Sequence, residues 1–326
     1  MTRQRAPRLP IEIGILAYPE AQLAAVLGLT DIFRVANQIS AEQGATPLCE
    51  IRVSHWELQN NRVKRAFASQ RSTGGKISAL IIPPSFAELS TVRTSKTVSR
   101  WIKARRSDGT VLCSVCAGAF LLADTGLLAG RTITTHWQHA AKFLGRFPTT
   151  MLDTDRILID DGDVISAGGG MAWIDLGLHL IGKMLSPTVM LATARFFLVD
   201  PAGRQQSFYA DFSPSLQHGD PQVLKLQHWL HERYSSNITI RAMAELSNLG
   251  ERTLLRRFHK ATGWNPSEYL QLWRINKAKE YLEFSTRNVE EIGLAVGYQD
   301  MSAFRNVFKK IVGLAPGEYR NRFGLV

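Results

Sequence analysis

The feature that most constrains this chain is an echo. The run T-G-W-N-P-S-E-Y at residues 262–269 returns as V-G-L-A-P-G-E-Y at residues 312–319. Phe258 and Phe308, Lys260 and Lys310, Gly263 and Gly313, and Pro266 and Pro316 all keep that spacing of fifty residues. An echo at a fixed period marks a repeated supersecondary unit. Two copies are too few to stack as a solenoid. The segment 238–322 therefore reads as one duplicated module, two helix-turn-helix units joined by a helix.

Each copy has the anatomy of that motif. In the first, residues 241–247 form a short helix, Asn248-Leu249-Gly250 a tight turn, and residues 251–262 a second helix ended by Gly263. A glycine just past a helix takes the left-handed conformation that closes it. In the second copy, residues 289–296 form the first helix and Gly297-Tyr298-Gln299 the turn. Asp300 then caps a helix over residues 301–312, and Gly313 ends it. The apolar residues of each second helix share one face: Leu254, Phe258 and Ala261, then Phe304, Phe308 and Ile311. The opposite face carries Arg252, Arg256 and Lys260 in one copy, and Ser302, Arg305, Asn306 and Lys309 in the other. Such side chains pair with phosphates and base edges. One helix with a few arginines describes an ordinary bundle with a solvated basic face. Two copies with matching turns, caps and basic faces describe a nucleic-acid reader.

Charge points the same way. The 326 residues carry a net charge of +11. Residues 221–326 hold 16 Lys and Arg against 10 Asp and Glu, a net +6 in about a third of the chain; the rest holds 23 against 18, a net +5. The excess is densest where contact with an anionic polymer needs it. The most apolar region, residues 171–199, is broken by Asp175, Lys183 and Arg195, which argues against a membrane span. The start T-R-Q-R-A-P-R has arginines but no apolar run behind them. Residues 1–10 are therefore expected to be a disordered basic tail, not a secretory signal. Three cysteines, few and odd in number, suit a reducing cytoplasm.

The length predicts about two domains. Residues 11–199 alternate strand and helix patterns. Strands are expected at 11–17, 50–54, 79–82, 110–115, 132–134, 157–160 and 164–167. Helices are expected at 23–37, 117–123, 172–184 and 188–198. That alternation implies a mostly parallel sheet covered on both faces. Residues 200–220 are polar, with Pro and Gly and little periodicity, and read as a linker. The second domain, residues 221–326, starts with Pro221 at the first position of a helix reaching Tyr234. A helix over residues 267–284 joins the two helix-turn-helix units.

One junction in the first domain bears on chemistry. In T-V-L-C-S-V-C-A-G-A-F-L-L-A, residues 110–123, a strand runs straight into a helix with Cys116 between them. Such an elbow exposes its side chain near a helix N-terminus, whose dipole lowers a thiol pKa. His136 follows in T-T-H-W, and Cys with His can make a nucleophile and base; both residues also suit buried packing. The single pair Cys113-x-x-Cys116 lacks the second pair of a zinc site. No metal and no cofactor is expected. The glycines at 168–170 follow a strand, where they suit a phosphate cradle or a tight turn.

The C-terminal segment resembles the DNA-binding domain of AraC/XylS-type transcription regulators. The carrying residues are L-L-R-R-F-H-K-A-T-G-W-N-P-S-E-Y-L, then R-I-N-K-A-K-E-Y-L, then E-I-G-L-A-V-G-Y-Q-D-M-S-A-F-R-N-V-F-K-K-I-V-G-L-A-P-G-E-Y-R. The resemblance implies two recognition helices in successive major grooves. By position, the base-facing residues would be Arg252, Leu255 and Arg256, then Met301, Ser302, Ala303 and Asn306. Leu255, Met301 and Ala303 cannot make bidentate hydrogen bonds, so they suit thymine methyls or packing.

The first domain resembles the DJ-1/PfpI superfamily, with its class I glutamine amidotransferase-like fold. The carrying residues are I-G-I-L-A-Y-P and G-L-T-D-I-F-R-V-A-N, then C-A-G-A-F-L-L-A-D-T-G-L-L-A-G-R-T-I-T-T-H-W, then S-A-G-G-G-M-A-W-I-D-L-G-L-H-L. Together the halves match the GlxA-type group of regulators. In enzymes of the superfamily the residue matching Cys116 is the nucleophile and the one matching His136 its partner. Two departures argue against turnover. The acidic residue that should contact the cysteine falls at Ala25. The strand that should end in P-G-G ends in P-P-S, so Pro84 stands where an oxyanion-site N–H is needed and has none. Losing one such donor costs on the order of a hundredfold in rate.

The expectation is a cytoplasmic, sequence-specific regulator. Its first domain senses a small molecule without turnover, in a pocket that includes Cys116, His136, Pro84 and Ser85. Tyr18, Phe86, Trp137 and Trp173 fall near the rim by family position. The resemblance implies promoter DNA, RNA polymerase, a small-molecule effector and a second copy of the chain as partners, with activation the commoner outcome. The competing readings are a Cys116-dependent amidase or hydratase with a DNA-binding tail, and a sequence-blind nucleoid-type DNA binder.

Overall fold

The computed structural model describes residues 10–43, 50–70, 76–201 and 203–325. The expected tail over residues 1–10 lies outside them except for Pro10, and Cys49 lies outside them too. The chain divides into two units, Met1–Gln206 and Ser207–Val326.

The first unit runs β1 (Ile11–Leu16), α1 (Leu23–Glu42), β2 (Ile51–Gln59), β3 (Arg62–Ala68), β4 (Ile77–Ile82), α2 (Lys96–Ser107), β5 (Val111–Val115), α3 (Gly118–Ala123), β6 (Thr132–Ile133), α4 (Ala140–Arg146), β7 (Met151–Leu152), β8 (Leu158–Asp160), β9 (Val164–Ala167), α5 (Trp173–Met184) and α6 (Pro187–Phe196). Seven strands form one sheet in the order β3-β2-β1-β4-β5-β9-β8. The five inner strands are parallel. β3 and β8 close the two edges antiparallel. Strand residues alternate between two cores. Ile13, Ile15, Ile81 and Val115 pack with Phe33 of α1 and Leu176 of α5. Leu16, Leu80, Ile82 and Leu112 pack with Ile102 of α2, Phe120 of α3 and Phe143 of α4. Covering both faces is what makes these strands read as continuous apolar runs.

Three differences from the expected elements have physical causes. The strand near residue 132 pairs only with β7, outside the main sheet. β3 went unseen because it is an edge strand whose side chains are mostly exposed, with no apolar alternation. Its signal lies in the turn: Asn60 and Asn61 both have positive φ, +48° and +57°, which suits the two-residue hairpin between Gln59 and Arg62. α2 buries only Ile102 and so shows little period, although Ser95 caps it by accepting from the Val98 N–H at 3.2 Å.

The second unit is helical: α7 (Pro221–Arg233), α8 (Ile240–Leu246), α9 (Glu251–Thr262), α10 (Pro266–Phe284), α11 (Val289–Ala295), α12 (Met301–Val312) and α13 (Pro316–Phe323). It has two small cores. Leu226, Leu230, Met243, Leu254, Phe258 and Tyr269 fill the first. Ile275, Leu282, Ile292, Phe304, Phe308 and Tyr319 fill the second. α10 contributes to both, Tyr269 and Leu270 to one and Ile275, Ala278 and Leu282 to the other. It is therefore the member that holds the two helix-turn-helix units together. Its 19 residues span about 28 Å at the α-helical rise.

The described part of the stretch expected as a linker, residues 200–201 and 203–220, is not loose chain. It belongs to the first unit up to Gln206 and to the second from Ser207. In the second unit the Lys279 ammonium donates to Ala210 O at 2.8 Å and to Asp211 at 2.7 Å. The Phe212 N–H donates to Asn276 at 3.0 Å. Asp220 caps α7 and holds Arg257 at 2.7 Å. Isolated aromatic and acidic residues make these contacts, and isolated residues leave no periodicity to read.

Candidate functional site

Each recognition helix is set by its ends. α9 follows a turn in which Asn248 has φ +52°, and Gly263 closes it at φ +81°. α12 is capped by Asp300, which accepts from the Ser302 N–H at 2.8 Å and the Ala303 N–H at 3.3 Å. Gly313 closes it at φ +89°. The second turn needs Gly297: its φ is +89°, and a Cβ there would strike the Ser235 backbone. With the ends fixed, Leu254 and Phe258 point inward from α9, and Phe304 and Phe308 from α12.

The outward faces carry most of the residues expected to read DNA. Arg252, Arg256 and Lys260 are exposed on α9, and Leu255 is 37% exposed. Ser302, Arg305, Asn306 and Lys309 are exposed on α12. Met301 and Ala303 are half-buried. Met301 lies against Gly293 of α11, where a Cβ would come within 2.7 Å of its sulfur, so it packs the motif together. Arg305 forms an ion pair with Glu290 of α11. The sequence held no signal for that partner.

In the first unit β5 runs into α3 through Cys116, which has φ +52°. The strain is held from both sides: the Cys116 N–H donates to Ala167 O at 2.8 Å, and Cys116 O accepts from Thr135 Oγ1 at 2.6 Å. Gly118 is required because a Cβ there would collide with the carbonyls of Ile82 and Pro83. The elbow does not expose its thiol. Cys116 is only 5% exposed, and burial pushes its pKa up to about 11, against a smaller opposing pull from the Ala117 N–H. The expected lowering by a helix dipole is thus reversed: α3 is a six-residue helix, and desolvation outweighs it. Cys113 is fully buried in β5, and burial raises its pKa as well.

His136 is turned to other work. Its Nδ1 accepts from the Gln138 N–H at 3.2 Å, and its ring stacks on Trp137. Burial lowers its pKa and so favours the neutral ring. Among the described residues no hydrogen bond joins it to Cys116. Ala25 is fully buried in the core that contains Cys116. Pro84 is buried, and its carbonyl accepts from the Gln22 N–H at 2.8 Å; the Pro83 carbonyl accepts from Tyr18 OH at 2.7 Å. Trp173 is a core residue rather than a rim residue, 7% exposed and pressed on Gly28, while Phe86 is 77% exposed.

A cavity of about 750 Å³ opens beside Tyr18, between the ends of β1 and β2 and the segment leading into α2. Leu16, Leu23, Val92 and Leu121 give it apolar walls, and Arg93 and Glu57 bring charge to it. Of the four residues expected in the pocket it takes Ser85; Cys116, His136 and Pro84 are not part of its lining.

The glycines at 168–170 make the expected tight turn, with Gly169 at φ +88°, and Gly168 has a further use. Gln206 sits over Gly168, where a Cβ would overlap its amide. Gln206 was invisible in the sequence, because its partners are backbone and threonine oxygens far along the chain.

The family model of the helix-turn-helix domain matches residues 243–322, and that of the DJ-1/PfpI family matches residues 66–183. The HTH-type transcriptional regulator GlxA of Rhizobium meliloti is 29% identical over 216 residues, which cover 64% of this chain and 65% of that protein, just under two thirds of its length. The HTH-type transcriptional regulator GbdR of Pseudomonas aeruginosa is 23% identical over 327 residues, covering 96% of this chain and 85% of that one. Among solved structures, Drosophila melanogaster DJ-1beta aligns over 59% of this chain and 100% of its own, at 14% identity and a TM-score of 0.46. The chain carries an AraC-type helix-turn-helix domain behind a domain of the DJ-1/PfpI family.

Proposed function

We propose that this protein is a sequence-specific transcription regulator whose DJ-1/PfpI domain senses a small molecule without turning it over. The observation that carries the reading is the pair of recognition helices, each closed by a left-handed glycine, each burying a leucine or phenylalanine and a phenylalanine four residues apart, and each carrying basic side chains on its outward face. Arg252, Leu255, Arg256 and Lys260 would meet the DNA from one helix, and Ser302, Ala303, Arg305, Asn306 and Lys309 from the other. Successive major grooves on one face of DNA lie roughly 34 Å apart, a separation that α10 has to set.

Several observations support sensing over catalysis. Cys116 is a buried thiol with a raised pKa, His136 is spent on a local cap, and Ala25 and Pro84 bring neither an acid nor a donor. The cavity beside Tyr18 has the volume and apolar walls of a small-molecule site. A ligand there acts by binding two states of the protein unequally. A homodimer and contact with RNA polymerase at the promoter belong to the same proposal, as does a location in the cytoplasm. Among the described residues no helix is long and apolar enough to cross a membrane.

The test is genome-wide capture of DNA by the full chain at a fixed salt concentration, beside Arg256→Ala and Asn306→Ala. The expected result is a small set of sites with two half-motifs about ten base pairs apart, lost in both variants. Sequence-blind capture that the variants leave unchanged would overturn the reading.

A further inference from the structure

Gln206 is the last residue of the first unit and is 2% exposed. Its Nε2 lies 2.9 Å from Thr134 Oγ1, 2.9 Å from Thr135 O and 3.0 Å from Arg156 O. Its Oε1 accepts from the Trp137 N–H at 3.1 Å. Its own N–H donates to Asp155 O at 2.8 Å. Gly168 leaves the space the amide occupies. Thr135 makes the next link, from its Oγ1 to Cys116 O at 2.6 Å. A glutamine in an ordinary linker stays in water. This one is buried and paired at both amide atoms, one residue removed from the strained elbow.

Inside the second unit the chain is caught again at once. Arg322 lies over the Phe208 and Tyr209 rings at 5.5 and 5.9 Å, and Tyr209 meets Phe323 edge-on at 5.4 Å. Lys279, 4% exposed, holds Ala210 and Asp211. Phe212 bonds Asn276 and packs edge-on against Tyr269 at 5.0 Å. The segment 208–212 is therefore a strap. It runs from α13 in the second helix-turn-helix unit, along α10, to the core of the first. Only Ser207 separates it from Gln206.

The geometry points to Gln206 as a latch that couples the sensing domain to the DNA-binding module. Docked, it ties the strap to the T-T-H-W segment beside the Cys116 elbow. A ligand-bound state of the domain in which residues 134–137 are rearranged releases it. The strap then loses its fixed end, and α10, which sets the separation of α9 and α12, loses its brace. This rests on the sensing reading above and adds its route, which is the covalent chain itself. The coupling is reciprocal, so a change at α10 reaches the elbow by the same path.

The test needs no ligand. Hydrogen exchange is followed by mass spectrometry in the full chain for wild type, Gln206→Ala, Thr134→Val and Lys279→Met. Thr134→Val keeps the volume and removes the hydroxyl that Gln206 Nε2 meets at 2.9 Å, so it decides the matter if Gln206→Ala does not fold. Exchange in α1 serves as the control for an intact first unit. The expected result is at least a tenfold rise in exchange at residues 208–212 and 274–282 for the two first-unit variants. Lys279→Met should give a matching rise at residues 134–137. Changes confined to the unit that carries the substitution would overturn the latch. The outcome separates from that of the DNA capture. Specific capture with confined exchange removes the latch and keeps the regulator. Sequence-blind capture with exchange that crosses the units does the reverse.

Discussion

Arg256 and Lys309 are both exposed on recognition helices, yet their expected effects differ. An arginine that forks onto a guanine edge discriminates between bases, whereas a lysine on a phosphate does not. Arg256→Ala is expected to cost about 1–3 kcal/mol, concentrated at one base position of a captured fragment. Lys309→Ala should weaken all sequences alike and lower the slope of log affinity against log salt by about 1. Fluorescence anisotropy on single-base variants of the fragment, across a salt series, reads both. Cys116 gives a second residue-scale test. With its pKa pushed up to about 11, it holds little thiolate at pH 8. Alkylation by iodoacetamide should run about a hundredfold or more slower than for free cysteine. Peptide-resolved mass spectrometry distinguishes it from Cys49 and Cys113. Rapid labelling of Cys116 would reopen the enzyme reading. The type of this residue was legible in the sequence and its state was not, because burial depends on what the rest of the chain places over it.

At the scale of elements, glycine is required at the ends of α9 and α12 by backbone conformation. Gly313→Ala puts a side chain at φ +89° and should destabilise the second unit by about 1 kcal/mol. Gly317→Ala, inside α13 with open space around it, should change stability by under about 0.5 kcal/mol or raise it. Urea unfolding of the two variants checks the contrast. α9 and α12 have the bounds that the sequence implied, residues 251–262 and 301–312, because caps, C-terminal glycines and apolar periods are all local signals. β3 and α2 escaped for the complementary reason. Each is mostly exposed, so burial writes no pattern into it. The Asn60-Asn61 turn was the one local clue to β3.

For the whole molecule, histidines whose pKa burial lowers shape the response to acid, His139 in the first unit and His231 in the second most of all, with His55 and His136 acting in the same sense. Burial, reinforced by neighbouring His and Lys charges, pushes His139 in the first unit and His231 in the second down to about 4. In the unfolded chain both take a proton near pH 6.5. Between about pH 6.5 and 4 the unfolded chain therefore binds more protons, and stability falls as pH drops through that window. Asp124, Asp155 and Asp175, raised by burial, act in the opposite sense just above the ordinary carboxylate pKa. The expected outcome is a lower urea midpoint at pH 5.5 than at pH 7.5, with the loss reduced in a His139→Asn, His231→Gln double variant. An equal loss in that variant would place the acid sensitivity elsewhere.

Sequence alone determined the two halves, the alternating elements of the first, the duplicated motif of the second and the basic faces of α9 and α12. All of these follow from period, caps and charge, which act over a few neighbouring residues. Tertiary structure decided the rest. It buried Cys116 and raised its pKa, turned His136 to a local cap, packed Met301 against Gly293 and opened the cavity beside Tyr18 rather than at the thiol. It also seated Gln206 over Gly168 and fastened residues 208–212 along α10. Most of these join residues far apart in the chain, and they depend on desolvation, packing or a single buried hydrogen bond, none of which leaves a trace in local pattern.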